Sequence, residues 1–243
     1  VDDVGLGEHR DRVHQEDLAN GVFSFLKTGI LYADAISTVS PTYAREIQTP
    51  AHGEGLDALL RARHRTFVGI LNGIDTELWN PVSDPFIPHH FSRLDLSGKV
   101  ANKRHLLATL GLDGDAGRGP APALLGMVSR LTSQKGQELL FDALPAILDR
   151  HPLQVAALGS GERDLEDFFT ALQARYPGRV CFYRGYNEAL AHLIEAGADM
   201  FLMPSRYEPC GLNQMYSLAY GTVPIVRRTG GLADTVQQVD PAT

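Results

Sequence analysis

Residues 123–161 read ALLGMVSRLTSQKGQELLFDALPAILDRHPLQVAALGSG. Two short apolar runs, 123–131 and 153–161, bracket a stretch at 134–151 whose apolar residues recur at helical spacing. Short apolar runs that end in glycine and polar turns read as strands, and the three- and four-residue spacing reads as an amphipathic helix. Strand, helix, strand in that order is a βαβ unit with parallel strands. The pattern continues toward the C-terminus. The segment ERDLEDFFTALQARY (162–176) is helical, RVCFYRGY (179–186) is strand-like, and NEALAHLIEAG (187–197) is helical. DMFLMPS (199–205) precedes GLNQMYSLAYG (211–221), and VPIVRR (223–228) precedes GGLADTVQQV (230–239). Five strand-then-helix pairs predict one parallel sheet covered by helices on both faces, a doubly wound α/β fold. The strands are apolar throughout, as expected when both faces are buried. In such sheets ligands bind outside the carboxyl ends of the strands.

The first third is less regular. GVFSFLKTGILYA (21–33) reads as a helix, and DAISTVSPTYAREI (34–47) as a strand, a turn and the start of a helix. GLDALLRARH (55–64) is helical, TFVGILNGID (66–75) is a strand, and WNPVSDPFIPHHFS (79–92) is a Pro-rich connector. A further helix, KVANKRHLLATLGL (99–112), leads into a Gly/Pro/Asp loop at 113–122. Two βα-type units are too few to bury a complete sheet. Residues 1–73 are therefore read as the end of one α/β domain, and 74–243 as a second.

The chain has 243 residues, 44% of them apolar and 21% charged, with a net charge of −7. The negative balance argues against a nucleic-acid binder or a binder of acidic membranes. No apolar run approaches membrane-spanning length. Two cysteines imply no disulfide framework, so a reducing cytoplasm is expected. The charged start, VDDVGLGEHRDRV, is not read as a signal peptide.

The unusual residues stand just after the strands. Arg130 and Lys135 straddle a strand-to-helix turn, where two cations converge on one anion beside a helix N-terminus. They are equally compatible with a solvated loop, and the spacing is not that of a Walker P-loop. Gly159 in LGSGE permits close backbone approach, yet a lone Gly-x-Gly is more often a tight turn. Tyr186 offers a flat face for a base or for packing on its own helix. In PSRYEPCGL (204–212), Glu208 either caps the next helix or faces a hydroxyl-rich ligand, with Pro209 favouring an extended Glu208. Cys210 reads as a small residue lending its backbone N–H, since no His is close to it in sequence. Gly211 and Leu212 open that helix, and Thr229 with Gly230 forms another turn whose N–H groups suit an anion. No His-x-x-x-His or Cys-x-x-Cys set is present, so no metal is expected. Phosphate donors, cations, a flat aromatic and a carboxylate on one rim suit a nucleotide-sugar.

Five segments resemble bacterial glycogen synthases and plant starch synthases: STVSPTYAREI (37–47), LNGIDTELWNP (71–81), SRLTSQKG (129–136), PSRYEPCGLNQ (204–214) and RRTGGLADTV (227–236). The segment 1–22 resembles the family less. The resemblance implies a retaining glucosyltransferase of GT-B type. Residues 74–243 would be its Rossmann-like donor domain, and residues 1–73 the incomplete end of a second Rossmann-like domain. The implied donor is ADP-glucose and the implied acceptor an α-1,4-glucan, with no cofactor, no metal, no nucleic acid and no membrane.

By the same resemblance, Arg130 and Lys135 bind the donor phosphates and Glu208 stands beside the glucose. Cys210 and Gly211 hold glucose hydroxyls through their backbone, while Leu212 and Asn213 meet the distal phosphate. Tyr186 stacks on adenine, Asn72 reaches the glucose, and Thr229 and Gly230 lie near the pyrophosphate. Asn213 stands where the family usually has Thr, and Tyr216 where related transferases carry a ribose-gripping Glu. The family's N-terminal Lys-x-Gly-Gly loop is absent, so the isolated chain is expected to transfer little glucose. Two alternatives stay open: a related transferase using UDP-glucose, and a donor-binding fragment without turnover.

Overall fold

The structure, a computed structural model, describes residues 5–112 and 122–240. The chain divides into two compact units, Val1–Asn72 and Gly73–Thr243. The loop reading at 113–122 falls, apart from Pro122, outside the described residues.

The first unit contains α1 (Gln15–Ala19), α2 (Phe25–Tyr32), β1 (Ile36–Val39), α3 (Pro41–Glu46), α4 (Asp57–Ala62) and β2 (Phe67–Ile70). β1 and β2 pair in parallel, from Ile36 opposite Phe67 to Val39 opposite Ile70. The turn after β1 starts α3 by a side-chain cap. Ser40 Oγ accepts the Tyr43 N–H at 2.9 Å, and Pro41 sits at the helix start, where its missing N–H costs nothing. Arg63 closes the other end of α2 by donating to the carbonyls of Ile30, Leu31 and Ala33.

The second unit contains α5 (Ser97–Leu110), β3 (Ala123–Val128), α6 (Leu140–Arg150), β4 (Leu153–Gly159), α7 (Arg163–Arg175) and β5 (Val180–Arg184). It continues with α8 (Glu188–Gly197), β6 (Met200–Met203), α9 (Asn213–Ala219), β7 (Val223–Val226) and α10 (Gly230–Thr235). The five strands form one parallel sheet in the order β5-β4-β3-β6-β7. The chain therefore winds outward from β3 to β5, then crosses back to β6. The order reverses between β3 and β6, which makes their carboxyl ends the switch point of the sheet.

Alternation along the strands feeds two cores. Leu125 and Met127 point to the face covered by α6 and α7, where Leu144, Leu148 and Phe169 are buried. Leu124 and Phe201 point to the opposite face, beneath Leu106 of α5 and Ile194 of α8. Each such side chain contributes about 1.5–3 kcal/mol relative to exposure.

Two details depart from the sequence reading. The helix expected from residue 134 begins only at Leu140, because residues 133–139 form two short 3-10 turns around Gly136. Gly136 is left-handed, at φ 69°, and a Cβ there would stand 2.3 Å from the Pro204 carbonyl oxygen. The Pro-rich connector is also part of the core: Ile87 and Phe91 are buried with Tyr220, against Trp79. Among the described residues, no helix is long and apolar enough to cross a membrane.

Candidate active site

At the switch point a cavity of about 190 Å³ opens between the loops after β3 and β6. Arg130 and Lys135 enter it from the β3 side, Ser205 from the β6 side, and Gly211, Leu212 and Asn213 from the start of α9. The two strands pair directly, so cations and carboxylate placed 73 residues apart in sequence meet. Lys135 Nζ donates to Glu208 Oε2 at 2.5 Å, and Ser205 Oγ donates to the same oxygen at 3.1 Å. The Glu208 side chain is 7% exposed and that of Lys135 20%. A pair this enclosed is charge-assisted and weakly screened. Arg130 stays exposed, 3.5 Å from Gln134 Oε1.

Glu208 thus neither caps α9 nor stands free: Lys135 holds it. Lys135 itself lies in a 3-10 turn instead of at the start of α6.

The backbone around Glu208 is clamped from α10. Gly231 N–H donates to the Glu208 carbonyl at 3.0 Å, and a Cβ on Gly231 would lie 2.1 Å from the Cys210 carbonyl oxygen. Behind them Gln214 is fully buried and donates to Cys210 O, Gly211 O and Thr235 Oγ1. Gly231→Ala is expected to push the 208–210 segment out of place, costing roughly 1–3 kcal/mol of stability. A thermal unfolding curve read by circular dichroism checks it, and an unshifted midpoint would disprove the clamp.

The remaining expected residues spread out. Asn213 lines the cavity, but its side-chain amide is tied to the Val128 carbonyl at 2.8 Å. Cys210 is buried, with its thiol directed at the Gly211 carbonyl. Gly159 closes β4 against the backbone that follows β3: a Cβ there would stand 2.0 Å from Ser129 O. Thr229 and Gly230 begin α10, where Thr229 is buried. Asn72 is exposed in the first unit, beyond β2. Tyr186, 82% exposed, stands over a second cavity of about 170 Å³, which Val128 and Asn213 share with the first.

That second cavity carries residues the motifs did not single out. Trp79 is sandwiched between His192 and Tyr216, with centroids 3.8 Å away on each side. His192 Nδ1 donates to Asp84 Oδ2 at 2.8 Å, and the Tyr220 hydroxyl donates to the same oxygen at 2.5 Å. Burial, then the Asp84 carboxylate, push the Tyr220 phenol far above its ordinary range. A Trp and an Asp in a connector carry no periodic signal, so only the polar residues inside apolar helix α8 hinted at this cluster. Among the described residues no group of three or more His, Cys, Asp or Glu side chains gathers to hold a metal.

Comparison with known proteins fits this geometry. A family profile described as "Glycosyl transferases group 1" matches residues 115–240, just over half the chain. One described as "Starch synthase catalytic domain" matches residues 2–62, so the stretch before residue 22 belongs to the resemblance after all. The chain is 59% identical to a glycogen synthase of Myxococcus xanthus, over 88% of this chain and 44% of that protein. It is 49% identical to one of Nitrosomonas eutropha, over 99% of this chain and 47% of that protein. The chain therefore spans about half the length of the curated relatives it matches. Among solved structures, it superimposes on the catalytic domain of starch synthase IV from Arabidopsis thaliana, bound to ADP and acarbose. That match has a TM-score of 0.81 at 38% identity, over 90% of this chain and 44% of the other. A structure of Anabaena Alr3699/HepE shares the fold at 18% identity and a TM-score of 0.58, over 87% of this chain and 49% of the other. The switch-point crevice, the doubly wound sheet and the profile match agree, and the chain belongs to the group 1 glycosyl transferases.

Proposed function

We propose that the chain is the donor-binding part of a glycogen synthase, an enzyme that moves glucose from ADP-glucose to the non-reducing end of an α-1,4-glucan with retention. The observation that carries this reading is the Lys135–Glu208 pair beside Arg130 at the switch point of the sheet. The bond between the anomeric carbon and the diphosphate oxygen breaks, and a bond to the acceptor's 4-oxygen forms on the same face. Arg130 and Lys135 stabilise the negative charge left on ADP, taking the part a metal plays elsewhere. The leaving phosphate oxygen accepts the proton of the 4-hydroxyl. Glu208 balances the positive charge growing on the sugar and forms no covalent bond. Tyr186 supplies the face on which the base stacks. The two free cysteines fit a cytoplasmic reaction.

The reading is tested by titrating ADP into this chain and into Lys135→Ala. Loss of a charged hydrogen bond weakens binding by roughly ten- to a hundredfold. Equal affinity in the two proteins, with circular dichroism showing both folded, would place the diphosphate elsewhere.

A further inference from the structure

Gln137 lines the cavity at the switch point and is 1% exposed. It follows left-handed Gly136 and stands two residues past Lys135. The segment that carries the two cations, SRLTSQKG (129–136), ends just before it.

The backbone on either side of Arg130 is tied to the end of β4. Ser129 N–H donates to the Leu158 carbonyl at 3.0 Å, and Leu131 N–H donates to the Ser160 carbonyl at 2.9 Å. The Arg130 carbonyl takes side-chain donors instead. Ser129 Oγ donates to it at 2.8 Å and Gln137 Nε2 at 3.1 Å. The same amide nitrogen donates to Ser129 Oγ at 3.1 Å. A carbonyl oxygen only accepts, so these contacts fix which end of the amide is nitrogen, and both its hydrogens are used. The side chain thus links the far end of the Lys135 turn back to Arg130.

The other end of the amide is idle. Gln137 Oε1 is buried and has no partner among the described residues. A buried amide with one end unpaired is costly, and an apolar side chain of the same length would hold the fold as well. What only a glutamine supplies here is the bond to the Arg130 carbonyl. Stability given up for geometry is a mark of a functional site. We infer that Gln137 is a positioning residue for the donor phosphates: through the Arg130 carbonyl it sets where Arg130 stands relative to Lys135. The inference rests on the donor reading proposed above and adds a residue that acts through Arg130.

The test is calorimetric titration of ADP into the chain, Gln137→Met, Arg130→Ala and the double variant, with a thermal unfolding curve for each. Methionine keeps the length of the side chain and removes both donor hydrogens. Ser129 Oγ still serves the Arg130 carbonyl, so that carbonyl keeps a donor. Q137M is expected to melt no lower than the unchanged chain and to bind ADP about five- to tenfold more weakly. In the R130A background the same substitution is expected to cost less than about twofold, because residues that act through one another do not add. A loss of equal size with and without Arg130 overturns the inference. So does equal ADP affinity in Q137M and the unchanged chain. A Q137M chain that melts well below the unchanged one, or fails to fold, marks Gln137 as a packing residue and overturns it as well. These three outcomes leave the donor reading standing. Failure of the unchanged chain to bind ADP, or ADP binding that R130A does not weaken, overturns the donor reading and the inference with it.

Discussion

Glu208→Gln is expected to lower glucose transfer by about 10²–10³-fold while leaving ADP affinity within about threefold. The side chain keeps its size and its contact with Ser205 Oγ, so the buried pocket stays filled. What it loses is the charge that faces Lys135 at 2.5 Å. Lys135 is then available to the diphosphate, which holds ADP binding steady. The positive charge that develops on the sugar during transfer has nothing to balance it, so the loss falls on kcat. The measurement is incorporation of labelled glucose into glycogen, with the chain joined to the length its relatives carry beyond it, beside an ADP titration. Turnover within about tenfold of the unchanged protein would remove Glu208 from the chemistry. A parallel collapse of ADP affinity would make it a binding residue.

Asp84→Ala is expected to cost about 3–5 kcal/mol, a large share of the roughly 5–15 kcal/mol that holds a domain folded. Asp84 is fully buried and gathers three donors: His192 Nδ1 and the Tyr220 hydroxyl on Oδ2, and the Phe86 N–H on Oδ1. Alanine leaves all three without an acceptor, in a region sealed by Trp79 and Phe91. At roughly 2–4 °C per kcal/mol for a protein of this size, the melting midpoint falls by about 10 °C. Asp84→Asn keeps an acceptor oxygen for the hydroxyl and costs less. Thermal unfolding followed by circular dichroism measures both. A loss under about 1 kcal/mol in D84A would show that the hub is dispensable.

The sheet was legible because its signal is periodic. Continuous apolar runs such as 153–159 stand out against helical spacing such as 162–176, and the five pairs follow one another without interruption. The strand order, and with it the meeting of Lys135 and Glu208, was legible only as the rule that ligands gather where a doubly wound sheet reverses. Three features were not readable. Gly231 follows the Thr229–Gly230 turn read as an anion site, and its role against the Cys210 backbone depends on a contact between segments well separated in sequence. Asp84 and Trp79 sit in a connector without period, so their burial follows from tertiary packing alone. Glu195 lies among apolar neighbours on α8, where one acidic residue reads as a solvated position until Ser217 is seen beside it.

The central claim is that the crevice between β3 and β6 holds the diphosphate of the donor. A crystal structure of the chain grown with ADP tests it most directly. The expected result is density for both phosphates within hydrogen-bonding distance of Arg130 and Lys135, with the base over Tyr186. Phosphates bound away from these two cations at saturating ADP would contradict the account.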